Sequence, residues 1–90
     1  MKQKTLGDSR PMNFELKTYN GRVKIYCNGS VMFTFNQIDF AGYYAYKDDT
    51  NLYGLDIYMN RQGAGHQIME IYFKTKENWL AVLKILDEKL

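Results

Sequence analysis

From Asn13 onward the chain alternates apolar and polar residues with period two. Phe14 and Leu16 alternate with Glu15 and Lys17, and Asn20-Gly21 follows. Val23, Ile25 and Cys27 then alternate with Lys24 and Tyr26, up to Asn28-Gly29. Beyond it, Val31, Phe33 and Phe35 alternate with Met32 and Thr34. Such alternation marks a strand with one face in the core and the other in water. Asn-Gly is the strongest short turn signal, because a type I′ turn needs positive φ at both central residues. Three alternating segments joined by two such turns predict an antiparallel β-meander.

The pattern continues less cleanly. Ile38 to Tyr46 predicts a fourth strand, bent near Gly42, where a bulge suits an isolated glycine. Lys47-Asp48-Asp49-Thr50-Asn51 forms a polar turn. Leu55, Ile57 and Met59 alternate with Asp56, Tyr58 and Asn60, and Gln62-Gly63-Ala64-Gly65 reads as a flexible loop. Met69, Ile71 and Phe73 alternate with Glu70, Tyr72 and Lys74. About six strands with short connections imply antiparallel pairing throughout.

At Thr75 the period changes. Trp79, Val82, Leu83, Leu86 and Leu90 fall at helical spacing, and Leu80 and Ile85 widen the stripe. Thr75 suits an N-cap; Glu77 in the first turn and Lys89 in the last suit the helix dipole. A lone helix of this length is marginal in water, so its stripe must dock on the sheet, with Trp79 as the anchor.

The predicted fold class is therefore α+β, mainly β. Six antiparallel strands in a meander form a strongly curved sheet or small barrel, closed by one C-terminal α-helix. This order of elements, with a tryptophan on the helix, resembles a pleckstrin-homology-like (PH-like) barrel. In that fold the helix plugs one end of seven strands, one more than are counted here. A flat sheet with the helix across one face is the alternative.

Composition narrows the reading. Ninety residues suit one domain, and a chain of this size buries roughly 60–65% of its unfolded surface. With 46% apolar and 16% aromatic residues, the chain is too hydrophobic to be disordered. Residues 1–11 are polar, end at the only proline, Pro11, and read as a flexible N-terminal tail before a single domain over 12–90. Ordering on a partner and adding a short edge strand are the alternatives for that tail. The single Cys27 rules out an intrachain disulfide. No apolar run approaches the roughly 20 residues of a membrane-spanning helix. A cytoplasmic protein is the default expectation. The formal charge of +2 lies entirely in the tail, where Lys2, Lys4 and Arg10 outnumber Asp8. The nine basic and nine acidic side chains of the remainder cancel. A nucleic-acid-binding domain normally has a basic surplus.

Candidate catalytic chemistry is sparse. His66 is the only histidine and lacks companion ligands, so it reads as a polar loop residue. Cys27 ends an inward register and reads as a small buried hydrophobe. Gly63-Ala64-Gly65 lacks the Lys-Ser/Thr and following helix of a phosphate loop. Asp48-Asp49-Thr50-Asn51 lacks the glycine and bidentate glutamate of a calcium loop. No catalytic, cofactor or metal site is expected.

Two surfaces remain. Tyr19, Tyr26, Tyr58 and Tyr72 share the outward register with Lys17, Lys24 and Lys74, an arrangement that can stack bases of single-stranded nucleic acid. Glu15, Asp56 and Glu70 share that register and cancel its charge. Tyr43, Tyr44 and Tyr46, with Tyr53 nearby, form a second cluster; Tyr43 faces opposite to the other two in a regular strand. Exposed tyrosines suit protein interfaces, since the ring is apolar and the hydroxyl tolerates water. The first expectation is a non-catalytic interaction module that binds a protein partner or itself, including as a homodimer. Single-stranded nucleic-acid binding ranks second. An enzyme with a carboxylate-only site drawn from Asp39, Asp56 or Glu70 ranks last.

Overall fold

The computed structural model describes residues 2–6, 10–47, 51–61 and 65–90, leaving aside the side chains of 2–6, 61, 65 and 66. Its strands are β1 (Lys2–Leu6), β2 (Phe14–Tyr19), β3 (Arg22–Cys27), β4 (Ser30–Asn36), β5 (Phe40–Lys47), β6 (Tyr53–Arg61) and β7 (Gly65–Phe73). One helix follows, α1 (Lys76–Lys89). The domain is mainly β with a C-terminal helix. The strands do not close into a barrel. They split into an antiparallel sheet β2-β3-β4 and a sheet of order β1-β7-β6-β5, antiparallel except for β1, which runs parallel to β7. The small PH-like barrel expected as one form of the fold is therefore not formed; what holds is a mainly β domain ending in one helix. Part of the leader, Lys2–Leu6, adds a seventh strand at the edge of the second sheet, the edge-strand alternative for that segment.

The expected turns carry the first sheet. Asn20 and Gly21 have φ of 49° and 76°, and Asn28 and Gly29 have 52° and 84°. Both pairs have the positive φ of a type I′ hairpin turn. Alternation fails at one place. Ile25 faces Phe33 while Tyr26 faces Val31, so Met32 is an extra residue on β4. Such a bulge reverses the side-chain register beyond it. Val31, expected in the core, is therefore exposed, and Met32 is buried instead. The anticipated irregularity near Gly42 also occurs: the β5–β6 register shifts between Phe40 and Gly42, and Gly42 has φ 134°.

The sheets part at a single 3-10 turn, Gln37–Asp39. The Gln37 N–H donates to the Gly21 carbonyl at 2.8 Å, fixing this turn beside the first hairpin. The chain then enters β5, which pairs with β6 and not with β4. Val23, Ile25 and Phe35 from one sheet, Leu55, Ile57, Ile71 and Phe73 from the other, and Val82 and Leu86 from α1 bury their side chains in one shared core. Each such side chain contributes about 1.5–3 kcal/mol by leaving water. Phe14 meets Phe73 edge to face at 6.2 Å, and Phe35 stacks on Phe40 at 5.9 Å, so aromatic pairs bridge the two sheets.

Thr75 caps α1: its Oγ1 accepts from the Asn78 N–H at 3.3 Å. Val82 and Leu86 are buried, whereas Leu80 is exposed and does not widen the stripe. Trp79 is half-buried, packs on Tyr53 at 5.2 Å, and donates through Nε1–H to the Gly54 carbonyl at 2.8 Å. Asn78 is also buried, although its side chain is polar. Its Oδ1 accepts from the Met12 N–H at 2.9 Å and its Nδ2 donates to the Arg10 carbonyl at 3.0 Å. It clamps the end of the leader to the helix. No helix among the described residues is long and apolar enough to cross a membrane.

Candidate interaction surfaces

Because both sheets turn their aliphatic sides to one core, their outer faces lie on opposite sides of the molecule. Cross-strand register resolves each face into rows. On β2-β3-β4 the outward rows are Glu15–Tyr26–Val31, Lys17–Lys24–Thr34 and Tyr19–Arg22–Asn36. On β5-β6-β7 they are Gly42–Tyr58–Ile68, Tyr44–Asp56–Glu70 and Tyr46–Gly54–Tyr72. The tyrosines and lysines expected on a single face are therefore divided. Tyr19, Tyr26, Lys17 and Lys24 lie together on the first; Tyr58 and Tyr72 lie on the second. Lys74 follows β7 and is exposed.

This division also separates charge. The first face holds three cations, Lys17, Arg22 and Lys24, against Glu15. The second holds Asp56 and Glu70 in its three rows, with exposed Lys74 two residues beyond Tyr72 at the end of β7. The cancellation expected from the sequence holds only in part: Glu15 stays beside Lys17, while Asp56 and Glu70 sit across the molecule. Each face even sets like charges directly opposite one another, Lys17 against Lys24 and Asp56 against Glu70. That pairing is mildly destabilising within the isolated domain.

The basic face is concave. Lys17, Tyr19, Arg22, Lys24, Tyr26 and Asn36 are among the residues around an open depression of about 580 Å³. Arg22 is fixed in it, donating through Nε to Thr34 Oγ1 at 3.0 Å and through Nη1 to Asn36 Oδ1 at 2.9 Å. Lys17 lies 5.3 Å from the centre of the Tyr26 ring and 3.9 Å from a Glu15 carboxylate oxygen. Lys24 has no ion pair among the described residues, and Tyr19 is 79% exposed. Arg22 shares the register of Lys24, opposite the inward set, and joins the face although it is not among the expected surface residues. Its position two residues before Lys24, directly after Asn20-Gly21, was the available signal.

The acidic face is more ordered. Tyr46 stacks on Tyr44 at 5.8 Å and meets Tyr72 edge-on at 6.3 Å. Its hydroxyl donates to Asp56 Oδ1 at 3.1 Å and lies 3.2 Å from the Tyr72 hydroxyl. Its phenol pKa is pushed well above the usual value by burial first, then by Tyr72 and by the charge and hydrogen bond of Asp56. The Tyr46 ring covers Gly54, and a Cβ there would overlap the ring. Tyr43 points inward instead, as the strand register requires, and donates to Asp87 on α1. That hydrogen bond is the first cause of its raised phenol pKa, ahead of burial and the Asp87 charge. Tyr53 packs under Trp79 with Lys47 over its ring at 5.6 Å. The tyrosine cluster of β5 is thus split between core and surface.

The other candidates fall as follows. Cys27 is half-buried, its Sγ 3.4 Å from Met12 Sδ. His66 lies within β7, opposite Asn60, rather than in a loop. Asp48–Thr50 and Gln62–Ala64 lie outside the described residues. Asp39 sits in the 3-10 turn, away from the rows that hold Asp56 and Glu70. No three potential metal ligands cluster among the described residues. The chain matches no protein-family model, and no curated protein or solved structure matches it either.

Proposed function

We propose that this protein is a non-catalytic interaction module that holds an acidic segment of a protein partner, or of another copy of itself, on the concave face of β2-β3-β4. The observation that carries this reading is the segregation of Lys17, Lys24 and Arg22 onto one sheet face, although the charges of residues 12–90 sum to zero. Lys17 and Lys24 repel each other across the strands, and carboxylates of a partner would relieve that repulsion. Tyr19 and Tyr26 supply amphipathic rings beside them, suited to an interface that is partly wet. The test is fluorescence anisotropy with a labelled oligoglutamate peptide. Binding at low ionic strength is expected, weakened about tenfold by Lys24→Glu, a change of about 1.4 kcal/mol. Absence of binding at low salt would end the reading.

Single-stranded nucleic acid is the second reading, favoured by the lysine over the Tyr26 ring and by exposed Tyr19. Three cations neutralise at most about three phosphates, so affinity would fall with salt at a log–log slope near −2. That is shallow beside nucleic-acid-binding proteins with six to ten phosphate contacts, and it ranks this reading below a protein partner.

A further inference from the structure

Resting on that reading of the β2-β3-β4 face, we infer that its occupant is a second copy of this chain, docked head to tail through its own acidic face on β5-β6-β7. The two faces are complementary in sign and alike in character. One offers Lys17, Arg22 and Lys24 beside Tyr19 and Tyr26. The other offers Asp56 and Glu70 beside Tyr44 and Tyr72. Each face carries a like-charge pair that is unfavourable in the lone domain and becomes favourable against the opposite face. The whole chain carries a formal charge of only +2, so the net repulsion between copies that this local attraction must overcome is small.

The geometry sets the mode of assembly. The two faces lie on opposite sides of one core, so the contact is heterologous: a basic face meets an acidic face, and each new copy leaves one of each exposed. Such contacts close into a ring or extend as a filament, unlike the two-fold homodimer of an edge strand. Three strands about 4.8 Å apart, with rows about 7 Å apart along them, make a patch near the small end of interface sizes. Association is therefore weak, needs high protein concentration, and is screened by salt.

The experiment is sedimentation velocity on the full chain, from micromolar to millimolar concentration, at low and at molar salt. Lys24→Glu and Glu70→Lys are measured alone and mixed, with circular dichroism and urea midpoints to check folding. At low salt the wild-type mass should rise above 10.6 kDa with concentration and return to it in molar salt. Each variant alone should associate about tenfold more weakly, because opposite charges become like charges at every contact. The equimolar mixture should regain wild-type association, because each variant then meets a complementary face on the other. A wild-type mass fixed at 10.6 kDa at all concentrations overturns the inference. So does association of either variant equal to wild type, or association that survives molar salt. If the chain stays monomeric yet binds oligoglutamate in a Lys24-dependent way, the partner is another protein; the inference fails and the reading of the face stands. Tighter binding of a single-stranded oligonucleotide than of oligoglutamate removes both.

Discussion

Asn78 offers the sharpest test of how the molecule is held together. Replacing it with alanine removes an acceptor from the Met12 N–H and a donor from the Arg10 carbonyl. A buried polar group left without a partner costs about 1–3 kcal/mol, and these two are only partly buried, which favours the lower half of that range. Alanine returns about 0.5 kcal/mol through better helix propensity. The net expectation for Asn78→Ala is a loss of about 2 kcal/mol, against a total of roughly 5–10 kcal/mol for a domain of this size. The backbone N–H at position 78 still donates to Thr75 Oγ1, so the helix cap survives and the loss measures the clamp alone. Urea unfolding followed by the single Trp79 and by circular dichroism gives the number. The corresponding fall in melting temperature is about 10 °C. Stability within about 0.5 kcal/mol of wild type, the ordinary range of surface substitutions, would show that the leader is not clamped through this side chain.

Two further outcomes follow from the acidic face. Gly54→Ala should cost about 1–3 kcal/mol, because the new methyl group displaces the Tyr46 ring. In a Tyr46→Ala background the same change should cost less than half as much, and equal costs in both backgrounds would refute the contact. Tyr46 and Tyr43 have raised phenol pKa values, so above about pH 10 the folded protein keeps protons that the unfolded chain releases. The folded state then binds more protons than the unfolded state, and stability falls as pH rises past that point. Urea midpoints across the alkaline range should drop less steeply in Tyr46→Phe than in wild type, and identical slopes would contradict the assignment.

Local signals read well from the sequence. Both Asn-Gly turns, the Thr75 cap, the Gly42 irregularity and the inward sets of β3, β6 and β7 all depend on near neighbours. What could not be read depends on pairing. The exchange of Val31 and Met32 arises because β4 slips by one residue against β3, which neither strand alone encodes. Asn78 stands in line with Val82 and Leu86 on the helix. Its polarity left it out of the apolar stripe, and only the approach of Arg10 and Met12 makes burial possible. The tyrosines and lysines of the wet register were legible as outward-facing, but not as belonging to two sheets. That distinction rests on the 3-10 turn at Gln37–Asp39, whose Ile38 and Asp39 read in the sequence as the start of the fourth strand. The charge segregation followed from the same division and was hidden by the neutral sum.

The Asn78 clamp also bears on the order in which the chain acquires its structure. Its two hydrogen bonds join positions 66 and 68 residues apart, and the parallel β1–β7 pairing spans a similar separation. Closing so long a loop costs about 2 kcal/mol more entropy than closing a hairpin of roughly ten residues. The two tight hairpins of β2-β3-β4 carry no such cost and assemble on the microsecond scale of local hairpins. Until the helix arrives, the aliphatic side of that early sheet is open to water. The helix that completes the core is synthesised after the sheet, so during translation the nascent sheet lacks a cover for Val23, Ile25 and Phe35 until the ribosome has passed Leu86.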